Sequence, residues 1–410
     1  MALHVMDEAS RCLNCKNPPC QRGCPIHTPI PKAIQLLKEN KLNEAGWLLF
    51  ENNPLTTVCS LICSHEHQCE GHCVLAKRGD PIRFSIIEHY ISSTFANQMT
   101  KGPSPSNGIK AAIIGSGPAG ITIAVLLARK GYQITIFERN EQIGGVLRYG
   151  IPEFRLPKSV LDDMQYRHLE LKGIKIRPNT NIGSAIGIDD LFRDGYKAVF
   201  IGTGVWKPNV LRIKGETFGH VHYAIDYLRN PDSYRLGDRV IVIGAGNAAM
   251  DVARTALRKG VREVTCFSLR QRISANQYEF RYAQLEGVQF IYGKKPVEIL
   301  DHGVVFRTVE EMPGGKLTEC PGSEEIYPTD SVIIAISQGP MDQIVTTTQG
   351  LNTNACGLLC VDEDGRTSRP GVFASGDVVN GARSVVEAVA YSKRVAAAMD
   401  AYMQALPSES

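Results

Sequence analysis

The chain has 410 residues, a length that predicts roughly two or three domains, each able to bury a core of its own. Charged residues make up 21% of the chain and the formal net charge is +3, so the charge balance indicates neither a nucleic-acid partner nor an anionic membrane surface. The apolar runs are shorter than the ~18 residues of a membrane-spanning helix, and the first residues lack the apolar segment of a signal peptide. We therefore expect a cytoplasmic protein, in which clustered cysteines serve as metal or redox ligands rather than as disulfides.

The first hundred residues combine helical patterns with two clusters of cysteines. Prolines followed by apolar residues at helical spacing predict short helices over residues 29–50. Eight of the twelve cysteines lie before residue 74: Cys12, Cys15, Cys20 and Cys24 in the first cluster, and Cys59, Cys63, Cys69 and Cys73 in the second. His65, His67 and His72 lie within the second cluster, so a tetrahedral zinc site is an alternative. The spacings are not those of paired C-x-x-C knuckles, which favours a different metal group.

The residue pattern changes after KGPSPSNG, a Gly-, Pro- and Ser-rich stretch that predicts a linker over residues 101–108. Short β-branched strands then alternate with Ala-rich helices, the pattern of a parallel sheet built from βαβ units. In the first unit a strand leads into Gly115-x-Gly117-x-x-Gly120, and the next strand ends at Glu138. The glycines allow a tight turn, close approach of a pyrophosphate and helix–strand packing, while Glu138 can accept hydrogen bonds from an adenosine ribose. This unit predicts a dinucleotide-binding turn.

A second unit of the same kind follows over residues 238–272. Gly244-x-Gly246-x-x-Ala249 opens another strand-to-helix turn, but the acid at the ribose position is missing and Arg270 and Arg272 come next. A guanidinium near the ribose favours a 2′-phosphate, so the pattern predicts NADPH in preference to NADH. Alternatively, these arginines only solvate a loop.

The C-terminal segment, residues 369–399, completes the pattern of a flavoprotein that takes hydride from a nicotinamide. A short strand ends before Gly376 and Asp377, and a long Ala-rich helix follows. A carboxylate at Asp377 can receive the ribityl hydroxyls of a flavin, and the positive end of the helix can face its pyrimidine edge. Hydride transfer between stacked cofactors needs orientation rather than a general base, so we expect no catalytic side chain.

The whole set of motifs resembles a known family, the FAD and iron–sulfur oxidoreductases typified by the small subunit of bacterial glutamate synthase and by the NAD(P)-binding part of dihydropyrimidine dehydrogenase. The resemblance rests on RCLNCKNPPCQRGCP, NNPLTTVCSLIC, GSGPAG, GGVLRYGIPEFRLPK, VIGAGNAAMDVARTAL and GVFASGDVV. It implies an α/β fold: an N-terminal all-helical domain with two iron–sulfur clusters, followed by two nested Rossmann-like domains, with the NADPH domain inserted into the FAD domain. The expected boundaries are residues 1–100 for the helical domain, 109–237 and 336–410 for the FAD domain, and 238–335 for the NAD(P)H domain.

The expected cofactor sites follow from these motifs and from the resemblance. FAD is expected at Gly115, Gly117, Pro118, Ala119, Gly120, Glu138, Gly145, Leu147, Thr203, Gly204, Gly376, Asp377 and Val385, and NADPH at Gly244, Gly246, Asn247, Ala248, Ala249, Arg270 and Arg272. The resemblance implies one four-iron cluster on Cys12, Cys15, Cys20 and Cys73, and another on Cys24, Cys63, Cys69 and Glu88. Cys59 is the alternative to Glu88, since thiolate suits iron better. Glu88 is favoured because the family generally has a cysteine at the position of Cys59 without using it.

The resemblance also implies a function, that of an electron-input subunit. It would take hydride from NADPH onto FAD and pass single electrons through the two clusters to a partner subunit that carries FMN and the substrate site, in a hetero-oligomer. Alternatives are a subunit of a transhydrogenase or bifurcating complex, and a stand-alone NAD(P)H flavin reductase. A disulfide reductase is disfavoured, because Cys266, Cys320, Cys356 and Cys360 form no C-x-x-C pair.

Overall fold

The computed structural model describes residues 4–96 and 103–407. The helices are α1 Val5–Ser10, α2 Pro19–Arg22, α3 Ile30–Lys38, α4 Leu42–Asn52, α5 Thr56–Ile62, α6 Phe84–Ala96, α7 Pro118–Ala128, α8 Val146–Tyr149, α9 Lys158–Met164, α10 Ile188–Arg193, α11 Ala224–Arg229, α12 Asn247–Arg258, α13 Gln277–Leu285, α14 Gln343–Thr346, α15 Asp377–Asn380 and α16 Val385–Gln404. The strands are β1 Lys110–Ile114, β2 Gln133–Phe137, β3 Lys175–Arg177, β4 Tyr196–Ile201, β5 Lys207–Pro208, β6 Val221–Tyr223, β7 Arg239–Ile243, β8 Glu263–Ser268, β9 Gln289–Tyr292, β10 Lys294–Leu300, β11 Gly303–Glu311, β12 Leu317–Glu319, β13 Glu325–Pro328, β14 Ser331–Ile334, β15 Gln338–Gly339 and β16 Val372–Ala374.

The chain forms two compact units. The first unit comprises residues 1–147, 153–205 and 340–410, and the second comprises residues 148–152 and 206–339. Within the ranges described, none of the helices combines the length and the apolar character that crossing a bilayer requires.

The first unit begins with the cysteine-rich part, which is helical over residues 4–96, as the sequence predicts. Pro31 lies in the first turn of α3, where a proline costs no intrahelical hydrogen bond. The apolar faces of the longer helices meet in one core, which also takes in a cysteine. The buried members of this core include Ile34, Leu37, Leu49, Cys69, Phe84, Ile87 and Ile91. Packing of these faces therefore positions the cysteine-bearing loops between the helices.

The remainder of the first unit is built on a parallel five-stranded sheet in the order β16-β4-β1-β2-β3. The chain runs from β1 outward to β3 on one side, then crosses to β4 on the other side, so the strand order reverses at β1. In open α/β sheets, ligands bind beyond the carboxyl ends of the strands at such a switch point. The first glycine loop follows β1 at this position.

The second unit has its own parallel sheet in the order β6-β14-β7-β8-β9, with the second glycine loop directly after β7. Antiparallel strands β10 to β13 form a separate small sheet, in which β11 pairs with its neighbours on both sides. Two Rossmann-type sheets after a helical segment agree with the predicted fold class. The strand and helix at residues 221–229 also belong to this unit. Which nucleotide each part binds stays a prediction, and linker residues 101 and 102 lie outside the described residues.

Candidate functional site

In the first glycine loop, backbone atoms pack closely against other backbone atoms. Gly115 has φ +95°, and a Cβ atom there would lie 2.6 Å from the carbonyl oxygen of Gly202. A Cβ atom on Gly120 would lie 2.0 Å from the carbonyl oxygen of Gly115. The turn and the start of α7 therefore tolerate only glycine at these two positions. The Cα atom of Thr203 lies 3.3 Å from the Cβ position of Gly115, which places the segment after β4 against the loop.

The space over Gly117 differs from the rest of this loop. A Cβ atom on Gly117 would meet nothing within 4 Å, although the Cα atom of Gly117 lies 2.9 Å from the Cβ position of Gly145. Gly376 likewise approaches the N-terminal turn of α7, with its Cβ position 3.0 Å from the Cβ atom of Ala119. Three chain segments thus meet at the N-terminus of α7 and leave open the side where amide groups would face a pyrophosphate. We call this arrangement the flavin cradle, and its predicted members also include Pro118, Leu147 and Gly204.

The carboxylate of Glu138 accepts hydrogen bonds from other residues of the chain. One carboxylate oxygen accepts hydrogen bonds from the backbone N–H of Ser116 at 3.0 Å and from its hydroxyl, and the other accepts from the backbone N–H and the side-chain amide of Asn140, both at 2.8 Å. The carboxylate therefore ties the glycine loop to the end of β2, and a ribose at Glu138 must replace one of these donors. Sequence reasoning missed Ser116 and Asn140, although a polar residue inside the glycine motif was a visible signal.

Asp377 lies at the start of α15, largely withdrawn from water. Burial raises the pKa of Asp377 to about 6, and its carboxylate accepts a hydrogen bond from the backbone N–H of Arg383 at 3.2 Å. A desolvated carboxylate with little cationic compensation is a receptor for hydroxyl donors such as those of a ribityl chain. Ser384 and Glu387 form a capping box at the next helix, so α16, the long helix predicted after Asp377, begins at Val385. The open side of Gly117 and the desolvated Asp377 fit a bound flavin.

The second glycine loop lies in the second unit and is anchored to residues 274–276. Gly244 has φ +139°, and a Cβ atom there would lie 2.3 Å from the carbonyl oxygen of Ala335 at the end of β14. The side-chain oxygen of Asn247 accepts a hydrogen bond from the backbone N–H of Asn276 at 2.8 Å. Ala249 occupies the third glycine position and is fully buried in the core behind the loop. The predicted residues Gly246 and Ala248 complete this turn at the N-terminus of α12.

The two arginines after β8 are placed differently from each other. Arg270 donates to the carboxylate of Glu311 at 2.7 Å and to the carbonyl oxygen of Gly315 at 3.3 Å. Arg272 is exposed, and its carbonyl oxygen accepts a hydrogen bond from Ser268. A 2′-phosphate at Arg270 would compete with Glu311, a partner on β11 that the sequence pattern did not indicate.

The cysteines of the first predicted cluster surround a cavity. Cys12, Cys15, Cys20, Cys73 and also Cys69 line it, together with apolar side chains. Burial and the neighbouring thiolates raise the pKa of Cys20 to about 11. Burial raises the pKa of Cys12 as well, so these two thiols need a cationic centre to become thiolates, and the four cysteines around one apolar cavity fit an iron–sulfur cluster.

The residues of the second predicted cluster also come together. A hydrogen bond with Cys59 and burial raise the pKa of Cys63, and burial and the charge of Glu88 raise the pKa of Cys69. Glu88 is buried, accepts a hydrogen bond from the hydroxyl of Thr56 at 2.7 Å, and has its pKa raised to about 7 by burial. Both Glu88 and Cys59 thus lie beside Cys63, and the geometry leaves the fourth ligand open between them.

No three His, Cys, Asp or Glu side chains within residues 4–96 and 103–407 converge to hold a single metal ion. Two of the histidines considered as zinc ligands have different surroundings: His67 is exposed, and Nδ1 of His72 lies 2.6 Å from the carbonyl oxygen of Gln68. A four-iron cluster binds each ligand through a different iron, so its ligands surround a cavity instead of converging on one point. The donor set therefore fits iron–sulfur clusters better than zinc.

Comparisons with known proteins agree with this description. Residues 109–392 match the pyridine nucleotide-disulphide oxidoreductases, and residues 2–100 match the dihydropyrimidine dehydrogenase domain II, 4Fe-4S cluster. The chain is 33% identical over 427 residues to the NADPH glutamate synthase small chain of Escherichia coli K12, covering 95% of this chain and 89% of that protein. It is 32% identical over 415 residues to the NAD-dependent dihydropyrimidine dehydrogenase subunit PreT of the same organism, covering 98% and 95%.

A solved structure shares the fold of much of the chain. Mycobacterium tuberculosis FprA in complex with NADPH superposes with a TM-score of 0.63 at 18% identity, over 73% of this chain and 85% of that chain. Together with the two sheets, these matches confirm the predicted fold class, an iron–sulfur domain followed by Rossmann-type FAD and NAD(P) domains.

Proposed function

Because the chain belongs to the FAD and iron–sulfur oxidoreductases that include the glutamate synthase small chain, we propose that it is the electron-input subunit of a larger enzyme. In this proposal the chain would hold FAD and iron–sulfur clusters, which would supply the redox chemistry between NADPH and a partner subunit that accepts single electrons. The chain's own residues bind and orient these groups, and none of them acts as an acid or a base. Hydride transfer depends on orientation, which a pre-formed cradle supplies.

One observation carries the proposal: the flavin cradle and both groups of cysteines lie in the same compact unit. The N-terminus of α7, with Gly117 and Gly145, would hold the pyrophosphate of FAD, and Asp377 would receive its ribityl chain. The cavity lined by Cys12, Cys15, Cys20 and Cys73 would hold one four-iron cluster, and the group around Cys63 and Cys69 would hold the second. Two clusters held in the same unit as a flavin would supply a path for single electrons.

We infer that NADPH is preferred over NADH. The relatives differ on this point, since the name of the glutamate synthase small chain specifies NADPH and that of PreT specifies NAD. Support for NADPH comes from Arg270 and the exposed Arg272 after β8, where a carboxylate would favour an unphosphorylated ribose. Arg270 must exchange Glu311 for the 2′-phosphate, so the preference is modest and NADH is also accepted.

The partner in this proposal is a catalytic subunit that carries FMN and the substrate site. The helical part, the first parallel sheet and the second parallel sheet are each assigned to a cofactor, so the proposal places the substrate site on the partner. A transhydrogenase or bifurcating complex differs from this proposal only in the partner. A stand-alone flavin reductase would make the cysteine clusters superfluous.

The test is cofactor analysis of anaerobically purified protein, followed by titration with NADPH and with NADH. We expect about eight irons and one FAD per chain, and flavin bleaching at lower concentrations of NADPH than of NADH. The Cys15→Ser variant should lose the iron of one cluster only. Iron near zero with stoichiometric zinc would overturn the proposal, and free flavin as the best acceptor would favour the stand-alone reductase.

The same analysis identifies the fourth ligand of the second cluster. We expect the Cys59→Ser variant to keep its full iron content and the Glu88→Ala variant to lose about half of the iron. The two substitutions are matched, because both side chains are buried beside Cys63. The reverse pattern would assign the ligand to Cys59.

A further inference from the structure

A chain of hydrogen bonds links the long helix after the flavin cradle to one of the candidate cluster ligands. The ammonium group of Lys393 on α16 donates to the carbonyl oxygen of Asn52 at 2.8 Å and to its side-chain oxygen at 3.1 Å. The side-chain amide of Asn52 donates to the hydroxyl of Thr28 at 3.2 Å. That hydroxyl lies 3.2 Å from the Sγ atom of Cys24. All four residues belong to the first unit.

We propose that Lys393, Asn52 and Thr28 are positioning residues that aim a hydrogen-bond donor at the sulfur of Cys24 and thereby raise the reduction potential of the cluster that Cys24 binds. This inference rests on the proposed function, since it takes Cys24 as a ligand of the second cluster. Hydrogen bonds to the ligand sulfurs and the net charge nearby are among the factors that set the potential of such clusters.

The direction of the hydrogen bonds follows from what each group is able to donate. The ammonium group of Lys393 is only a donor, so it holds the oxygen of the Asn52 amide toward itself. The NH₂ group of Asn52 must then face Thr28, whose hydroxyl oxygen accepts this bond. The single hydroxyl hydrogen of Thr28 remains for the sulfur, and a metal-bound thiolate is only an acceptor. Lys393 therefore determines, at a distance, that Cys24 receives a donor.

The surroundings keep this chain of hydrogen bonds effective. Thr28 and Cys24 are 4% and 7% exposed, and Lys393 is half-buried. Burial lowers the pKa of Lys393, while the nearby negative charge of Cys24 opposes that shift. Electrostatic interactions are stronger where water is excluded, so a positive end directed at the sulfur favours the more negative, reduced cluster. Without Lys393, the Asn52 amide is free to turn its oxygen to Thr28, which would draw the hydroxyl hydrogen away from the sulfur.

The test is an EPR-monitored redox titration of the holoprotein and of four variants. Thr28→Val removes the hydroxyl that donates to Cys24. Lys393→Met removes the ammonium group that orients the Asn52 amide, and Lys393→Gln keeps an N–H donor at that position without the charge. Arg394→Met is the matched control, since Arg394 is the exposed neighbour on the same helix and contacts the ring of Tyr391. We expect Thr28→Val and Lys393→Met to disfavour reduction of one cluster about tenfold, which is 59 mV for a one-electron couple. Lys393→Gln should show a smaller shift in the same direction.

The signal of the other cluster, on Cys12, Cys15, Cys20 and Cys73, should keep its potential in all variants, and Arg394→Met should keep both potentials of the parent protein. Unchanged potentials in Thr28→Val and Lys393→Met, with full iron content, would overturn the inference and leave the proposed function standing. Equal shifts in both cluster signals would also overturn it, since the hydrogen bonds reach Cys24 alone. If the parent protein shows no iron–sulfur signal, the proposed function itself fails.

Discussion

Gly117 and Gly120 belong to one motif, yet the structure predicts opposite consequences for alanine at the two positions. In Gly120→Ala the new methyl group would lie 2.0 Å from the carbonyl oxygen of Gly115, so α7 must move away from β1 by more than 1 Å. Overpacking of this kind costs about 1–3 kcal/mol, although alanine in a helix is otherwise favoured over glycine by about 1 kcal/mol. We expect Gly120→Ala to lower the thermal stability of the FAD-free protein.

Gly117→Ala is the matched variant that separates ligand binding from folding. Gly117 has φ −74° and ψ −175°, which alanine adopts freely, and its Cβ position is open. The thermal stability of the FAD-free protein should therefore not change. The methyl group would stand between the loop and the pyrophosphate, and loss of one hydrogen bond to a charged group costs about 1.5–3 kcal/mol. That loss weakens FAD binding roughly 10- to 100-fold, measured by fluorescence titration. Wild-type FAD affinity in Gly117→Ala, or wild-type stability in Gly120→Ala, would refute the reasoning.

Two further predictions concern charge. Burial raises the pKa of Asp377 from 3.8 to about 6, so its contribution to stability is fully present below pH 3.8 and is lost as the pH rises through 6. Asp377→Asn should therefore raise the melting temperature of the FAD-free protein at pH 7 but not at pH 4, while FAD retention falls; an equal effect at both pH values would contradict this. Glu311→Gln should lower the KM for NADPH by up to about fivefold, because releasing Arg270 from a surface ion pair gains at most about 1 kcal/mol. The KM for NADH should not change. A parallel decrease in KM for both nucleotides would show that Arg270 does not bind the 2′-phosphate of NADPH.

Local motifs allowed the sequence to predict much of the fold and the two glycine turns, because such a turn is encoded in adjacent residues, while the binding of FAD at the cradle stays a prediction. The positive φ angles of Gly115 and Gly244 arise directly from strand-to-helix turns that only a few residues determine. Contacts between distant segments carry no such signal. The carboxylate of Glu138 turns to Ser116 and Asn140, and Arg270 turns to Glu311, because tertiary packing brings those donors and acceptors together. Lys393 and Asn52 are 341 positions apart, a pairing that no periodicity predicts.

The end of α4 shows why the cysteine-bearing helices and the flavin cradle form one unit. Three consecutive residues each contact a different part of the nucleotide-binding fold: Phe50 packs edge-on against His168 at 4.8 Å, Glu51 pairs with Arg129 at 2.8 Å, and Asn52 accepts from Lys393. Successive helical residues point in directions about 100° apart, so contacts at all three prevent α4 from rotating about its axis. The separation between the cysteines and the cradle is thus set by packing. In the proposed electron-input subunit, fixed packing keeps the electron path at one length, and Lys393 reaches Cys24 only because that packing holds.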